Sequence, residues 1–413
     1  MWRPMPTLSP SRRILLADAD AFFVAVARAV DPEGAGQAPL LIVGGSRDSR
    51  GVVCSASYET RKFGVRSAMP ISRALRLCPD AMCVPVPMKA CGVKSREIRT
   101  VLGRFAPVVE GASIDEWYMD LAGTEGIYHN EPLATTAHRM RDAVRRETGL
   151  TVSIGGGTNK LVAKLAVERA KPKPDTAADG VHIVPSGTEK SFLETFTLAE
   201  LPMVGPKFQE RLAERGMRTV RDVRRLTIDD LRLLLGAREA EWLWNRVRGV
   251  DHSEVEGGGE AKSISRDETF AQDLGEDRDL DRELLALVTR AAFDLRGDGM
   301  TARTITVKIR DMDFRTRSAQ RTLLEPVASD RVIFRVAREL LLKLRTARRI
   351  PARLLGVSLS SLAHDPLADQ LALFASADPL SETDRDRVLS RAVDLVREKY
   401  GPGGIIPASL SRE

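Results

Sequence analysis

Two acidic clusters, far apart in the chain and each set in an apolar, strand-like run, constrain the fold most. They are residues 14–20 (ILLADAD) and 112–120 (ASIDEWYMD). A charge buried without a partner is very costly, so carboxylates in such runs need compensation. Two like charges about 4 Å apart repel by about 4 kcal/mol at an effective dielectric near 20, and a divalent cation reverses that sign. The pattern predicts a magnesium site for phosphoryl transfer built from two strands. The alternative is a pair of acidic turns at strand ends.

The spacing within each cluster bears on how one site is formed. Asp18 and Asp20 are two residues apart, so on a strand their side chains share one face. Asp115 and Glu116 are adjacent, so on a regular strand they point to opposite faces. Both can serve one centre only if the backbone turns or bulges there. In a two-metal centre one ion activates an attacking hydroxyl, and the other holds a triphosphate and its leaving oxygen.

Composition narrows the class of protein. With 63 Lys+Arg against 57 Asp+Glu, the net charge of +6 suits a polyanionic partner without identifying one. No run approaches 18 apolar residues, so we expect no membrane span. The histidines are scattered and predict no metal cluster. The cysteine spacing fits neither a zinc ribbon nor a redox motif and favours reduced thiols in a cytoplasmic protein; the cysteines are Cys54, Cys78, Cys83 and Cys91.

The chain alternates strand and helix patterns to about residue 185, which predicts an α/β region. A helical, Arg-rich stretch at 198–250 follows, and then a Gly-rich linker at 256–260 (EGGGE). Beyond the linker the pattern reads βαββαβ, followed by a polar stretch and a last helix at 387–398.

Three runs resemble the successive motifs of a Y-family DNA polymerase of the bacterial polymerase IV (DinB-type) branch. They are residues 14–23, 51–70 (GVVCSASYETRKFGVRSAMP) and 113–120. The resemblance implies an α/β multidomain, right-hand polymerase with a ferredoxin-like palm, small fingers, a helical helix-hairpin-helix thumb and a βαββαβ little finger. The implied boundaries are a disordered N-terminus at 1–12, palm at 13–22 and 84–185, fingers at 23–83, thumb at 186–252, linker at 253–262, little finger at 263–363 and a C-terminal segment at 364–413.

The same resemblance implies the reaction and its metal ligands. It implies error-prone translesion synthesis, in which a primer 3′-hydroxyl attacks a deoxynucleoside triphosphate on primer–template DNA with two Mg²⁺ ions. Asp18, Asp115 and Glu116 carry over as catalytic carboxylates and magnesium ligands, and Ala19 as a ligand through its carbonyl. Whether Asp20 is also a ligand is left open.

Five residues carry over as contacts of the incoming nucleotide. Phe23 matches the steric gate that excludes a 2′-hydroxyl, whereas Phe22 is either a substrate contact or a core aromatic. Tyr58 and Arg61, three residues apart on one helix face, match contacts of the triphosphate. Arg61 offers a planar fork for phosphate oxygens, and Lys171 matches a phosphate-binding lysine. From the pattern alone, the alternative interpretation is that Arg61 and Lys171 are ordinary surface residues.

Residues 201–207 (LPMVGPK) resemble a helix-hairpin-helix turn that binds DNA. Gly205 would let backbone N–H groups approach a phosphate at a helix N-terminus, with Lys207 beside it. An Arg-rich flank favours DNA, and a helix corner with a glycine for steric reasons is the alternative. The flanking residues are Arg211, Arg215, Arg218 and Arg221.

Residues 370–374 (QLALF) match the motif that docks bacterial enzymes on the sliding clamp. The predicted clamp-binding residues are Gln370, Leu371, Leu373 and Phe374. The alternative is a short element packed on its own protein. We expect the enzyme to be a monomer that depends on the clamp for processivity.

Two residues depart from the family pattern, and two other functions are alternatives to a polymerase. Ala27 stands where relatives usually carry Glu, and Trp117 follows the Asp-Glu pair at a position that is usually smaller or another aromatic. The alternative functions are a noncatalytic scaffold with the same fold and a magnesium-dependent nucleotide cyclase with a palm-like topology. Intact acids at all three positions argue against a scaffold. A cyclase has no use for the Gly205 turn or the clamp peptide.

Overall fold

The structure is a computed structural model that describes residues 12–47, 50–172, 178–364, 381–401 and 403–410. The chain forms two compact units, Met1–Gly259 and Glu260–Glu413. The finer boundaries expected for palm, fingers, thumb, linker and little finger stay predictions. Of the expected disordered N-terminus, residues 1–11 lie outside the described residues, as does the clamp motif at 370–374.

The first unit alternates strands and helices and then becomes helical, as predicted. Its strands are β1 (Ile14–Ala19), β2 (Leu41–Gly44), β3 (Val53–Ala56), β4 (Met82–Pro85), β5 (Val108–Gly111), β6 (Glu116–Asp120), β7 (Val152–Gly157) and β8 (Val181–Ile183). Its helices are α1 (Phe22–Val30), α2 (Tyr58–Arg61), α3 (Ile71–Leu77), α4 (Met88–Leu102), α5 (Leu133–Thr148), α6 (Lys160–Ala170), α7 (Glu189–Leu193), α8 (Pro206–Ala213), α9 (Val220–Arg224), α10 (Ile228–Leu235) and α11 (Ala237–Arg246).

A five-stranded sheet of order β5-β6-β1-β7-β8 forms the centre of this unit. Strand β1 is buried along its whole length and pairs antiparallel with both β6 and β7. Helix α6 packs directly on β7, because a Cβ at Gly155 would lie 2.1 Å from the backbone nitrogen of Val167. Only glycine allows this approach. The close packing holds α6 over the sheet and fixes where its lysines lie.

A second, three-stranded sheet of order β3-β2-β4 carries the short helices α2 and α3. The Ser57 hydroxyl caps α2 by accepting the Thr60 backbone N–H at 3.3 Å, and it donates to the Pro39 carbonyl at 2.8 Å. Ser57 and Thr60 are both buried. These bonds fix the start of α2 and therefore the positions of Tyr58 and Arg61.

Helices α8 to α11 enclose a separate apolar core, to which Leu212, Leu231 and Leu243 contribute. Their starts are set by local chemistry. Thr219 and Thr227 each form a capping box with the aspartate three residues later. Such boxes satisfy two backbone N–H groups at each helix N-terminus. The sequence therefore defines short helices here without a long amphipathic stripe.

The second unit has the predicted βαββαβ order. Its elements are β9 (Ser263–Leu274), α12 (Asp277–Gly297), β10 (Met300–Asp311), β11 (Thr316–Val327), α13 (Asp330–Ala347) and β12 (Ala352–His364), followed by α14 (Asp384–Tyr400). The strands form an antiparallel sheet of order β11-β10-β12-β9. Helices α12 and α13 share one apolar core with it, through residues such as Leu287 and Val336.

One expectation from the sequence is wrong. Asp18 and Asp20 do not share a strand face, because β1 ends at Ala19 and Ala21 adopts a left-handed conformation with φ 46°. Asp20 lies in the turn between them, where its carboxylate accepts the Ser153 hydroxyl at 2.7 Å. None of the described helices is long and apolar enough to cross a membrane.

Candidate functional site

Asp18 and Glu116 lie directly opposite each other on neighbouring strands. Strands β1 and β6 pair so that the two Cα atoms are register partners. Directly opposed side chains on one sheet face have Cβ atoms about 4.5–5.5 Å apart, and like charges there destabilise the pair. The first acidic cluster therefore meets the second, as predicted, and the two carboxylates need a positive group between them.

The backbone bends at Asp115, which resolves the problem posed by two adjacent acids. Asp115 lies in a bend before β6, and its carbonyl accepts the Ala19 N–H at 2.9 Å. Its carboxylate accepts the Ser113 hydroxyl at 2.5 Å and is only partly buried. The predicted departure from a regular strand is therefore confirmed, and Asp115 stands beside Ala19 through its backbone.

Two lysines, Lys164 in α6 and Lys171 directly after its last residue, neutralise the carboxylate pair. The Lys171 ammonium lies 3.0 Å from the Asp18 carboxylate and 2.7 Å from that of Glu168. The Lys164 ammonium lies 2.5 Å from Glu116 and 3.8 Å from Asp18. The sequence predicted Lys171, but Lys164 was missed. Its signal is the seven-residue spacing from Lys171, which puts both on one helix face.

Burial dominates the protonation of Asp18. Removal from water raises the pKa of Asp18 to about 6, against the opposing effects of Lys171 and Lys164. Burial acts to lower the pKa of Lys171, but Asp18 and Glu168 outweigh it and raise that pKa. Lys171 therefore stays charged, while Asp18 takes up a proton in weakly acidic solution when no metal ion is bound.

The residues fit a divalent cation in part. Among the residues that the structure describes, no three His, Cys, Asp or Glu side chains form a ready metal cluster. Asp18 and Glu116 converge on the Lys164 ammonium, so positive charge is already stabilised at that point. The Asp115 carboxylate accepts the Ser113 hydroxyl through Oδ1 alone, and a carboxylate has a second oxygen with which to bind a cation. Oxygen ligands of this type suit Mg²⁺.

The two aromatic residues after the turn have different environments. Phe22 is 2% exposed and belongs to the apolar core, whereas Phe23 is half-buried. Their rings meet edge to face with centroids 5.6 Å apart. The core alternative therefore describes the Phe22 side chain, and Phe23 is the ring with a surface available to a ligand.

Helix α2 brings Tyr58 and Arg61 towards the end of the central sheet. The Arg61 guanidinium stacks 4.8 Å from the Tyr58 ring centroid, and its Nε donates to the Ala56 carbonyl at 2.9 Å. Burial raises the pKa of Tyr58, the Asp20 carboxylate raises it further, and Arg61 and Lys171 oppose the rise. The Tyr58 hydroxyl therefore faces the charges that surround Asp18.

The predicted helix-hairpin-helix turn precedes α8. Gly205 is the N-cap residue of α8, and Lys207 is exposed in its first turn. Within the described part of the chain, the backbone N–H groups of Gly205 and Lys207 have no protein acceptor. Of the Arg-rich flank, Arg211 pairs with Glu239, and Arg221 lies 3.8 Å from Glu194. The flank is therefore less free than its composition suggests.

Three protein families match successive parts of the chain. The impB/mucB/samB family matches residues 17–168, and the C-terminal domain of that family matches residues 261–373. The family described as the DNA polymerase-iota thumb domain matches residues 199–251. The matches cover both acidic clusters, the helical region with Gly205 and the second unit.

Curated relatives and solved structures agree with these families. DNA polymerase IV of Dehalococcoides mccartyi (strain CBDB1) is 36% identical, over 94% of this chain and 95% of its own. DNA polymerase IV of Desulfatibacillum aliphaticivorans is 36% identical, over 96% of each. The Y-family DNA polymerase chimera Dbh-Dpo4(243-245)-Dbh superposes with TM-score 0.75 at 24% identity, over 86% of this chain and 100% of its own. DinB from Sulfolobus solfataricus superposes with TM-score 0.57 at 26% identity, over 84% and 98%. The chain therefore belongs to the Y-family DNA polymerases, in the DNA polymerase IV branch.

Proposed function

We propose that Asp18, Asp115 and Glu116 perform the nucleotidyl transfer of this translesion DNA polymerase, joining a deoxynucleotide to a primer 3′-hydroxyl. The observation that carries the proposal is the pairing of Asp18 with Glu116 between two ammonium groups. Neither a noncatalytic scaffold nor a nucleotide cyclase accounts for this site together with membership of the polymerase IV branch.

The metal proposed for this centre is Mg²⁺, as two ions. The two ions would be held by Asp18, Asp115, Glu116 and the carbonyl of Ala19. They would supply activation of the 3′-hydroxyl and neutralisation of charge on the triphosphate. Support comes from the oxygen chemistry of the donors and from the positive charge already accepted beside Asp18 and Glu116. Whether Asp20 is a further ligand is left open, since its Oδ1 accepts the Ser153 hydroxyl and a carboxylate has a second oxygen.

The chain's own cations and aromatic rings would bind and orient the nucleotide. Lys171, Tyr58 and Arg61 would hold the triphosphate. Lys171 contacts Asp18, and Arg61 lies over the Tyr58 ring, which interacts with the charges of Asp20 and Asp18. The planar guanidinium of Arg61 can donate two parallel hydrogen bonds to phosphate oxygens. Phe23 would lie under the sugar and leave no volume for a 2′-hydroxyl. Phe22 would support that ring from the core.

The enzyme would hold DNA through the phosphate backbone, and a partner protein would supply processivity. The free N–H groups at Gly205 and the ammonium of Lys207 would contact phosphates, which positions DNA without reading its sequence. Residues 370–374 would dock on the sliding clamp. We further propose a monomer that works in the cytoplasm, consistent with free thiols at Cys54, Cys78, Cys83 and Cys91.

Primer extension with Mg²⁺ tests the catalytic assignment. Asp115→Ala should lower extension at least ~100-fold, since even a group supporting a metal ligand is worth 10–100-fold. The fold should survive, because Asp115 is partly exposed and bonded through its carboxylate to Ser113. Asp142→Asn, an exposed acid on α5, is the matched control and should extend normally.

Three results would contradict this assignment. Full extension by Asp115→Ala removes that acid from the chemistry. Template-independent cyclisation of a nucleotide by the native chain, with no primer extension, would identify a cyclase. A native chain that binds DNA but extends no primer would identify a scaffold.

A further inference from the structure

Helix α14 packs with its polar side inward and its apolar side outward. Asp386, Ser390 and Arg397 are buried against the second unit. The opposite side exposes Val388 (68%), Leu389 (60%) and Leu395 (66%). An ordinary surface helix has the reverse arrangement. The apolar side of α14 is therefore a surface that lacks a partner among the described residues.

Paired charges fix the orientation of α14. The Asp394 carboxylate accepts two bonds from the Arg296 guanidinium, at 2.5 and 2.8 Å. The Asp386 carboxylate lies 2.9 Å from the Arg331 guanidinium. Just before the helix, Glu382 accepts the backbone N–H groups at the start of α13. Breaking one member of a buried pair is strongly destabilising, so the helix cannot turn its apolar side inward.

The outward side forms one stripe with a cation near each end. Residues 385, 388, 392, 395 and 399 follow the 3–4 spacing of a helix that meets another segment. The centre of the stripe is Val388, Ala392 and Leu395, and Leu389 lies beside it. Arg385 and Lys399 end it. A contiguous exposed apolar patch rimmed by polar groups marks a binding site.

The charges at the two ends argue against a second copy as the occupant. Antiparallel pairing of two α14 helices would put Arg385 against the Lys399 of the copy at both ends. Parallel pairing would put each cation against itself. Like charges at such positions repel. The charges call instead for an apolar segment with carboxylates and no cations.

The chain itself contains such a segment immediately before α14. Residues 365–380 (DPLADQLALFASADPL) contain three aspartates and no lysine or arginine. Their apolar residues include Leu371, Leu373 and Phe374. Seven residues lead from Phe374 to Ser381, and a chain of that length spans at most roughly 23 Å. Helix α14, with 17 residues, is about 25 Å long. The segment is therefore long enough to run back along most of the helix. At the other end, His364 pairs with Met300, which lines the same cavity as Asp394 of α14.

We propose that the outward face of α14 binds the chain's own residues 365–380 and competes with the sliding clamp for them. The competition rests on the clamp docking proposed above, because the same Leu371, Leu373 and Phe374 side chains serve both partners. The two contacts exclude each other. Free enzyme would shelter these side chains on α14, and a loaded clamp would take them.

Hydrogen–deuterium exchange on the full chain tests the internal contact. Replacing Leu389→Gln and Leu395→Gln together should speed amide exchange in residues 365–380, because the apolar partner is lost. Both side chains are exposed, so the fold should be unaffected. Leu342→Gln on α13, also exposed at 64%, is the matched control and should change nothing. Arg385→Glu with Lys399→Glu should act in the same direction as the leucine pair.

Clamp titration tests the competition. If half or more of the free enzyme holds the segment on α14, the leucine pair variant should bind the sliding clamp at least ~2-fold more tightly, since apparent affinity scales with the competent fraction. Unchanged exchange overturns the proposal. Weaker clamp binding would mean that α14 itself contacts the clamp, and overturns it as well. So would a native dimer that the variant abolishes. If the native chain binds no clamp, the clamp docking fails while the exchange result still decides the α14 contact.

Discussion

The charge of Asp18 makes metal binding depend on pH. Burial raises the pKa of Asp18 to about 6, and a divalent cation binds the ionised form. Lowering the pH from about 7.5 to about 5 leaves roughly a tenth of the groups ionised. We therefore expect Mn²⁺ affinity, measured by electron paramagnetic resonance, to fall about tenfold over that range. An affinity that is constant with pH would contradict this account of Asp18.

Stability of the metal-free enzyme should change with the opposite sign. The pKa of Asp18 is raised above its ordinary 3.8, so between about 4 and 6 the folded chain binds more protons than the unfolded chain. The contribution of Asp18 to stability then falls as pH rises through that window. Added Mg²⁺ should consequently raise the melting temperature more at about pH 7.5 than at about pH 5.

Phe23 provides a test of sugar selection. Phe23→Ala should raise ribonucleotide incorporation relative to deoxyribonucleotide, because the half-buried ring no longer fills the space at the 2′ position. Discrimination of about 10-fold or more should be lost, as expected for removal of a packed steric contact. Primer extension with each triphosphate measures the ratio.

The neighbouring ring separates selectivity from stability. Phe22→Ala should cost about 3–5 kcal/mol of folding free energy, since Phe22 is fully buried. It should change the sugar ratio of the surviving enzyme less than Phe23→Ala does, because Phe22 contacts the Phe23 ring from the core. An unchanged ratio in Phe23→Ala, or an equal change in both variants, would remove the steric role from Phe23.

Single residues could be predicted where a motif fixes them and not where tertiary packing does. The meeting of Asp18 with Glu116 follows from two acidic clusters in two apolar runs. Lys164 could not be found that way, because its contact with Glu116 depends on how α6 packs on β7 and β1. That placement depends on Gly155, whose role becomes visible only when the helix is in place.

At the scale of elements, the turns on either side of α8 offer a matched pair of glycines, Gly205 before the helix and Gly216 after it. Gly205 has φ −75° and open space where a Cβ would stand, so Gly205→Ala should fold normally. It should weaken DNA binding, because the added methyl group crowds a phosphate at the N–H groups. Gly216 has φ +74°, so Gly216→Ala should cost about 1 kcal/mol of stability instead.

Lys207 refines that test through salt dependence. Lys207→Ala should reduce the slope of log affinity against log salt by about 1, because one phosphate contact and its counterion release are lost. Fluorescence anisotropy of labelled duplex DNA measures both variants. Equal DNA affinity in the native chain, Gly205→Ala and Lys207→Ala would leave the turn as a structural corner.

Element boundaries show where local signals end. Apolar periodicity predicts helices at residues 280–295 and 331–344, and α12 and α13 extend these bounds by only a few residues, because period and apolar content agree there. The amphipathic pattern at residues 93–105 also predicts a helix, but α4 begins at Met88, since Pro87 precedes its first turn and Gly92 interrupts the pattern. Strand β8 has only three residues, too few for an alternating pattern to be recognised in the sequence, so it was not predicted.

At the scale of the whole molecule, sequence motifs predict which region performs which task. Only the structure shows how the orientation of the last helix, α14, is fixed. The order of acid clusters, helical hairpins and βαββαβ unit follows from patterns along the chain. The inverted packing of α14 does not, because its sequence predicts an ordinary amphipathic helix. It forms ion pairs with Arg296 of α12 and Arg331 of α13, of which the Arg296–Asp394 pair is separated by 98 residues, so only folding brings these partners together.

Clamp docking should be separable from chemistry in the whole enzyme. Phe374→Ala removes an aromatic anchor, and such anchors typically contribute 2 kcal/mol or more, or roughly 30-fold in affinity. We expect a loss of that size in clamp binding and a matching loss of long products on clamp-loaded templates. Single-nucleotide insertion without clamp should stay at the native rate, since none of the residues assigned to catalysis or nucleotide binding belongs to residues 365–380. Ser376→Ala, in the same segment, is the control and should behave as native. Equal loss of insertion and clamp binding in Phe374→Ala would show that the segment supports the fold, whereas normal clamp binding would place the docking surface elsewhere.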